Sequence, residues 1–161
     1  MRDMPRVRQI LRDEAYQSYL AKNEKAEKNR VYCRHDMTHL LDVCRVGYAM
    51  ILEDGLPYTK ELMYTAGLLH DIGRWVQVET KADHAKAGAE MAAPILKRCG
   101  FSDEESALVV QAILYHRINE HPDAFGKVLY DADKQSRPCF ACPEIGSCKR
   151  FANGETAELK Y

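Results

Sequence analysis

The sequence predicts an all-α fold, a single bundle of about six helices. Three observations carry this. Apolar residues recur at three- and four-residue spacing almost throughout, helix-capping signals fall between the periodic stretches, and no segment alternates as a strand does. At 161 residues the chain is long enough for one domain with a real core. Residues 1–30 read as an N-terminal amphipathic helix, 31–137 as the main helical domain, and 138–161 as a cysteine-containing irregular tail packed on it.

The first helix is expected over about 7–28, with Val7, Ile10, Leu11, Ala15, Tyr19 and Leu20 on one face. The second should run over 36–53, carrying Leu40, Val43, Val46, Gly47, Met50 and Ile51, until Gly55 and Pro57 end it. Thr59 suits the N-cap of a third, whose Leu62, Met63, Ala66 and Leu69 face inward. Gly73 stands where a helix C-terminus favours a left-handed residue. A fourth helix starts near Asp83 and stops at Gly100, with Pro94 set to kink or split it. Ser102 and Glu105 form a capping-box pair for a fifth, reaching about Arg117. The sixth begins near Pro122 and includes Phe125, Val128, Leu129 and Ala132.

Composition narrows the function classes. Hydrophobic residues make up 46% and charged residues 29%, ordinary for a globular protein. A net charge of −1 gives no whole-molecule reason to expect a nucleic-acid polymer or an anionic membrane as partner. No apolar run approaches the ~18 residues a membrane helix needs. The opening Met1-Arg2-Asp3-Met4-Pro5-Arg6 lacks the apolar core of a secretory signal, so the expected location is the cytoplasm. Among six cysteines, Cys33, Cys44 and Cys99 sit in helical patterns as small hydrophobes. Cys139, Cys142 and Cys148 cluster with C-x2-C-x5-C spacing, which points to thiol or metal chemistry. Three thiols fall one short of a closed structural zinc site.

The chemistry lies in the histidines and aspartates. His39 shares a stripe with Val43, Val46 and Met50; His70 follows Met63 and Ala66; His84 lies with Ala87, Gly88 and Met91. His116 extends Val109, Ala112 and Ile113, and Asp133 falls four residues after Leu129. A single histidine on an apolar face is usually a hydrogen-bonded core residue. Five helices each turning such a group inward are another matter, because burying them without compensation would cost several kcal/mol. A divalent ion supplies that compensation, since imidazole nitrogens and carboxylate oxygens are its natural ligands. The adjacent pair His70-Asp71 can converge on one ion only near a helix end, because helical neighbours point about 100° apart. An ion with open positions can bring a bound water's pKa toward neutrality and polarise a phosphoryl oxygen, so hydrolysis is the natural product.

Three segments carry a family resemblance: Met37-Thr38-His39-Leu40-Leu41-Asp42-Val43, Ala66-Gly67-Leu68-Leu69-His70-Asp71-Ile72-Gly73-Arg74 and Asp131-Ala132-Asp133-Lys134. In this H…HD…D order the chain resembles the HD-domain superfamily of metal-dependent phosphohydrolases, over roughly residues 32–137. The resemblance implies one divalent ion held by His39, His70, Asp71 and the aspartate before Lys134, namely Asp133. Asp131 then stands behind it or serves, with Asp71, as a candidate base. His84 and His116 are similar to the extra histidines of relatives that bind a second ion; contact with substrate phosphate or a proton shuttle are the other roles open to them. No Gly-Tyr-Pro follows His116-Arg117, which continues Ile118-Asn119-Glu120-His121-Pro122, so hydrolysis of cyclic dinucleotides is not supported.

The expected reaction is attack of a metal-activated water on a phosphomonoester or phosphodiester, the substrate being small and phosphorylated, with a nucleotide as one class. Arg74, Arg117 and Lys134 are the candidate phosphate contacts, and Arg137 is a weaker one. The segments 75–81 and 118–122 are expected as loops lining the entrance, and Trp75 either stacks on a base or closes the core. Mn, Fe, Mg, Ni, Co and Zn are not distinguished. Three alternatives are a non-catalytic module binding metal or nucleotide, a di-iron oxygenase of the HD type, and a Cys139/Cys142/Cys148 tail that acts as an interaction or redox element served by the catalytic domain.

Overall fold

The computed structural model describes residues 3–161, and every regular element among them is helical. In chain order these are α1 (Pro5–Arg12), α2 (Glu14–Ala26), α3 (Met37–Glu53), α4 (Lys60–Leu69), α5 (Arg74–Thr80), α6 (His84–Arg98), α7 (Asp103–Tyr115) and α8 (Ala124–Gln135). Short 3-10 turns follow at Cys139–Ala141, Ile145–Ser147 and Lys149–Phe151. None of the helices in the described residues is long and apolar enough to cross a membrane.

The all-α expectation holds, with differences that have local causes. The expected first helix is two. Asp13 leaves helical geometry with ψ 126°, and its carboxylate accepts from the N–H groups of Ala15 and Tyr16, capping α2 and ending α1. Helix α5 replaces the loop expected at 75–81. It buries no residue, so it presents no apolar stripe, and it stops at Lys81 in the left-handed region at φ 66°. Pro94 neither splits nor ends α6, which runs unbroken to Arg98. Pro94 and Glu90, the residue whose carbonyl loses its helical donor, are both exposed. Helix α8 begins at Ala124, close to the expected start near Pro122, and is capped by Asp123 through a 2.7 Å bond from the Gly126 N–H. Helix α7 ends at Tyr115, with His116 as its cap, two residues sooner than expected.

Helices α3, α4, α7 and α8 surround the core, with α3 against α4 and α8, and α7 against α4, α6 and α8. Leu40, Val43, Met63, Leu69, Val109, Ile113, Phe125 and Leu129 fill the space between them. The approach of α3 to α4 depends on Gly67, where a Cβ would meet Cys44 Sγ at 2.6 Å. Helix α1 is tied to α4 and α7 by Arg6, which bonds Glu61 (2.9 Å) and Glu105 (2.6 Å).

Gly73 is required for a reason other than the one expected. Its φ is −89°, an ordinary value. A Cβ there would meet the His84 carbonyl oxygen at 2.5 Å and the Gly88 nitrogen at 2.6 Å, both backbone atoms of α6. The turn after His70-Asp71 therefore lies directly on the first turns of α6. Gly73→Ala should cost about 1–3 kcal/mol in urea unfolding, the usual size for overpacking. Gly146→Ala, with nothing within 4 Å of its added Cβ, should stay near wild type.

Candidate metal centre

The centre forms where α4 stops. His70 caps the helix, and its backbone N–H still bonds Ala66 O at 2.9 Å. A turn over 70–73 then swings Asp71 round. Buried Asn23 of α2 holds that turn from behind: its Nδ2 donates to the Asp71 carbonyl at 2.9 Å, and its Oδ1 accepts from the Trp75 N–H at 2.8 Å. The helix-end geometry expected for the pair is what the chain adopts.

Around Asp71 the described side chains form two sets whose ligand atoms all lie within 4.8 Å of one another. One is His39, His70, Asp71 and Asp133; the other is Asp71, His84 and His116. Asp71 belongs to both through different oxygens. Its Oδ2 lies 2.9 Å from His70 Nε2 and 3.6 Å from His39 Nε2. Its Oδ1 lies 3.1 Å from His84 Nε2 and 3.5 Å from His116 Nε2. Asp133 closes the first set, 3.1 Å from His39 Nε2 and 3.6 Å from His70 Nε2. All six residues are buried.

The outer ring nitrogens are fixed by the backbone. His70 Nδ1 donates to Gly67 O at 2.7 Å and His116 Nδ1 to Ile113 O at 2.5 Å; a carbonyl can only accept, so in the neutral rings both Nε2 lone pairs face inward. His84 Nδ1 pairs with Gln77 Oε1 and lies 3.1 Å from an Arg74 nitrogen. His84 Nε2 and His116 Nε2 face each other at 3.2 Å, and His70 Nε2 has no well-aligned hydrogen-bond partner. Orphaned acceptors pointing at one space are what a divalent cation satisfies.

Electrostatics agree. Burial alone would raise Asp71, but His70, His35, His116 and His39 around it hold its carboxyl well below the usual range. Asp133 is likewise low despite burial, through His39, His70 and Lys134. Burial works against charge on His70, yet Asp71 and Asp133 outweigh it and push the imidazole up to about 10. Burial moves His84 the other way, down to about 4, against the pull of Asp71. Two buried carboxylates thus demand positive charge, and a proton on His70 or a metal ion meets the demand. The donor set, imidazole nitrogen and carboxylate oxygen, suits a divalent transition metal.

The remaining expected residues divide. Asp131 is not brought to the centre: two residues before Asp133 is about 200° round the helix, and there it pairs with Lys127 outside the cavity. Arg74 lines the cavity behind His84, bonding Gln77 at 2.9 Å and Glu27 at 3.5 Å. Lys134 pairs with Asp133, and Arg117 sits at the rim bonding Asp83 at 2.9 Å. Trp75 lies under the Lys22 ammonium, 4.2 Å from ring centre, rather than in the cavity. The walls also differ from expectation. The cavity of about 550 Å³ is enclosed by the 30–35 segment and by Ser147 to Arg150 of the tail, not by 75–81 or 118–122.

Sequence reasoning missed His35 and Glu27. His35 Nδ1 bonds Glu27 Oε1 at 2.6 Å, and its Nε2 lies 3.9 Å from Asp71 Oδ2. His35 precedes the cap of α3, outside any periodic stretch, and Glu27 ends a polar helix; the one signal was the four-residue spacing of His35 from His39.

Comparison with known proteins agrees with this geometry. The HD domain family model matches residues 37–137. An uncharacterized protein of Clostridium beijerinckii is 39% identical over 145 residues, spanning 90% of this chain and 92% of that protein. Ribonuclease Y of Chloroflexus aurantiacus is 34% identical over 110 residues, 66% of this chain but 20% of that protein. The chain thus spans about a fifth of the ribonuclease Y length. A crystal structure of a "predicted HD superfamily hydrolase" from an uncultured Thermotogales bacterium superposes with a TM-score of 0.61 at 27% identity, covering 88% of this chain and 78% of that one. The chain belongs to the HD-domain superfamily, a family of metal-dependent hydrolases.

Proposed function

We propose that the chain is a phosphohydrolase acting on a small phosphomonoester or phosphodiester, with a nucleotide as the substrate class to test first. One observation carries this: the buried, electron-rich cage around Asp71 opens into a cavity whose wall is cationic. Arg30, Arg74, Arg117, Lys134, Arg137, Lys149 and Arg150 line it, against the two carboxylates Asp71 and Asp133. Its volume of about 550 Å³ suits a small molecule. Negative charge developing on a phosphoryl group would meet guanidinium and ammonium groups in a partly enclosed space, where they act more strongly than in water.

His39, His70, Asp71 and Asp133 would hold one divalent ion, and Asp71, His84 and His116 a second. Such ions supply Lewis acidity and lower the pKa of a coordinated water toward neutrality. The protein's own groups do the rest. Asp71 keeps both ends of the cage in register through its two oxygens. His35, with Nδ1 held by Glu27, presents Nε2 beside Asp71 and can accept a proton from the reaction space. Arg137 spans the wall and the cage, 3.1 Å from His39 Nε2, and Arg150 reaches in from the tail.

The direct test is metal analysis and phosphate release by the full chain on nucleoside monophosphates, a dinucleotide and a generic phosphoester. The His/Asp cage of the wild type should hold up to two divalent ions and the chain should release product, with Asp71→Ala losing the cage ions and turnover together. His84→Ala should lose one ion and keep the other. Ligand binding without product release in any metal, or substrate-dependent oxygen uptake by an iron form, would replace this reading with one of its alternatives.

Two further outcomes follow from the same geometry. Arg150→Ala should raise KM about tenfold or more with the metal content of the His/Asp cage unchanged, the loss of a charged hydrogen bond to phosphate. Glu27 should be visible in the acid limb of stability. Burial opposes its ionisation, but the bond to His35 holds it down to about 2 from an ordinary 4.5. Its contribution is full above about 4.5 and is lost as pH falls toward 2. Thermal melts across that window should show a shallower decline for Glu27→Gln than for wild type.

A further inference from the structure

The tail after α8 poses a problem of its own. No residue from 138 to 161 is buried, and the three 3-10 turns bury nothing, yet Ser147, Cys148, Lys149 and Arg150 form one wall of the cavity. A segment of this length with no core of its own usually needs a staple. Its backbone is folded around its cysteines. Cys142 N–H bonds Cys139 O at 3.2 Å, Ile145 N–H bonds Cys142 O at 3.3 Å, and Phe151 N–H bonds Cys148 O at 3.0 Å.

The fold brings a fourth thiol to these three. Cys33, in the segment before α3, lines the cavity with Cys139 and Cys148, and lines the neighbouring one with Cys139 and Cys142. The Cys139 thiol lies within electrostatic reach of both Cys33 and Cys142. Side-chain bonds stitch the two segments on either side. Tyr32 Oη bonds the Ser147 carbonyl at 3.2 Å, and Arg137 reaches Arg34 O at 3.5 Å. All four cysteines are free and half-buried, unlike Cys44 and Cys99, which are buried in the core. Arg150 lies 3.8 Å from Cys139 Sγ, a cation placed to offset thiolate charge.

We propose that Cys33, Cys139, Cys142 and Cys148 form a four-thiolate centre for a soft metal, a zinc ion or an iron–sulfur cluster, separate from the His/Asp cage. Four thiolates are the ligand set both species take, and either would pin the tail to the 30–35 segment and complete the cavity wall. The thiols do not meet the 4.8 Å spacing that the two His/Asp sets meet for a single ion.

The test is quantitation of zinc, iron and acid-labile sulfide in the full chain purified without oxygen, and again after reconstitution with zinc or with ferrous iron and sulfide. Supporting results are about one thiol-bound zinc per chain, or iron accompanied by about equal labile sulfide and a visible charge-transfer band. Cys33→Ser and Cys142→Ser should each lose that share alone and expose residues 138–161 to limited proteolysis. Asp71→Ala should retain it, and Cys99→Ser should change nothing. The proposal is overturned if neither species is retained after reconstitution and the four thiols of the native chain react freely. It is also overturned if Cys33→Ser and Cys142→Ser keep full metal content and a protected tail.

Discussion

A single carboxylate, that of Asp71, sets the terms for the rest of the molecule. It is buried, held ionised, and faces imidazoles through both oxygens: His70 and His39 on one side, His84 and His116 on the other. A lone buried carboxylate would take up a proton or destabilise the fold, because desolvating the charge is costly. Here α3, α6 and the cap residues of α4 and α7 deliver imidazoles to it, and a second carboxylate, Asp133, makes the need for positive charge stronger still. A site built this way is stable when a cation completes it.

Several features otherwise unremarkable in a helical bundle serve that carboxylate. The end of α4 must fall at His70, since within a continuing helix Asp71 would point away from its neighbour's target. Asn23 fixes the turn by bonding the Asp71 carbonyl and the Trp75 N–H. Gly73 lets the turn lie against the backbone of α6, which brings His84 within reach. Backbone carbonyls of Gly67 and Ile113 lock the rings of His70 and His116, so the cage is oriented before any ligand arrives.

Much of this was legible in the sequence, because it rests on periodicity and caps. The inward phase of His39, His70, His84, His116 and Asp133 follows from apolar residues three and four positions away, and the capping box at Ser102 and Glu105 formed as read. What escaped lacked such a pattern. Helix α5 has no buried face, Asp13 breaks the first helix through a side-chain bond, and His35 reaches the centre from a segment with no period at all. The role of Gly73 was misread, since close approach to another helix leaves no local trace. Cys33 read as core packing, because sequence cannot show that the tail returns to it.

The cationic wall and the electron-rich cage come from different parts of the chain, the first largely from irregular segments and the second from helices and the turns at their ends. On the proposed function, chemistry would fall on the rigid elements and substrate choice on the loops, a division common in enzymes. The central claim is that Asp71 is shared by two ion positions. Crystals grown with manganese or iron and measured at the metal's absorption edge test it most directly. The account predicts two anomalous peaks, one among His39, His70 and Asp133 and one between His84 and His116, with one Asp71 oxygen toward each. No peak at the cage, or a single peak with Asp71 turned away from it, would contradict the account.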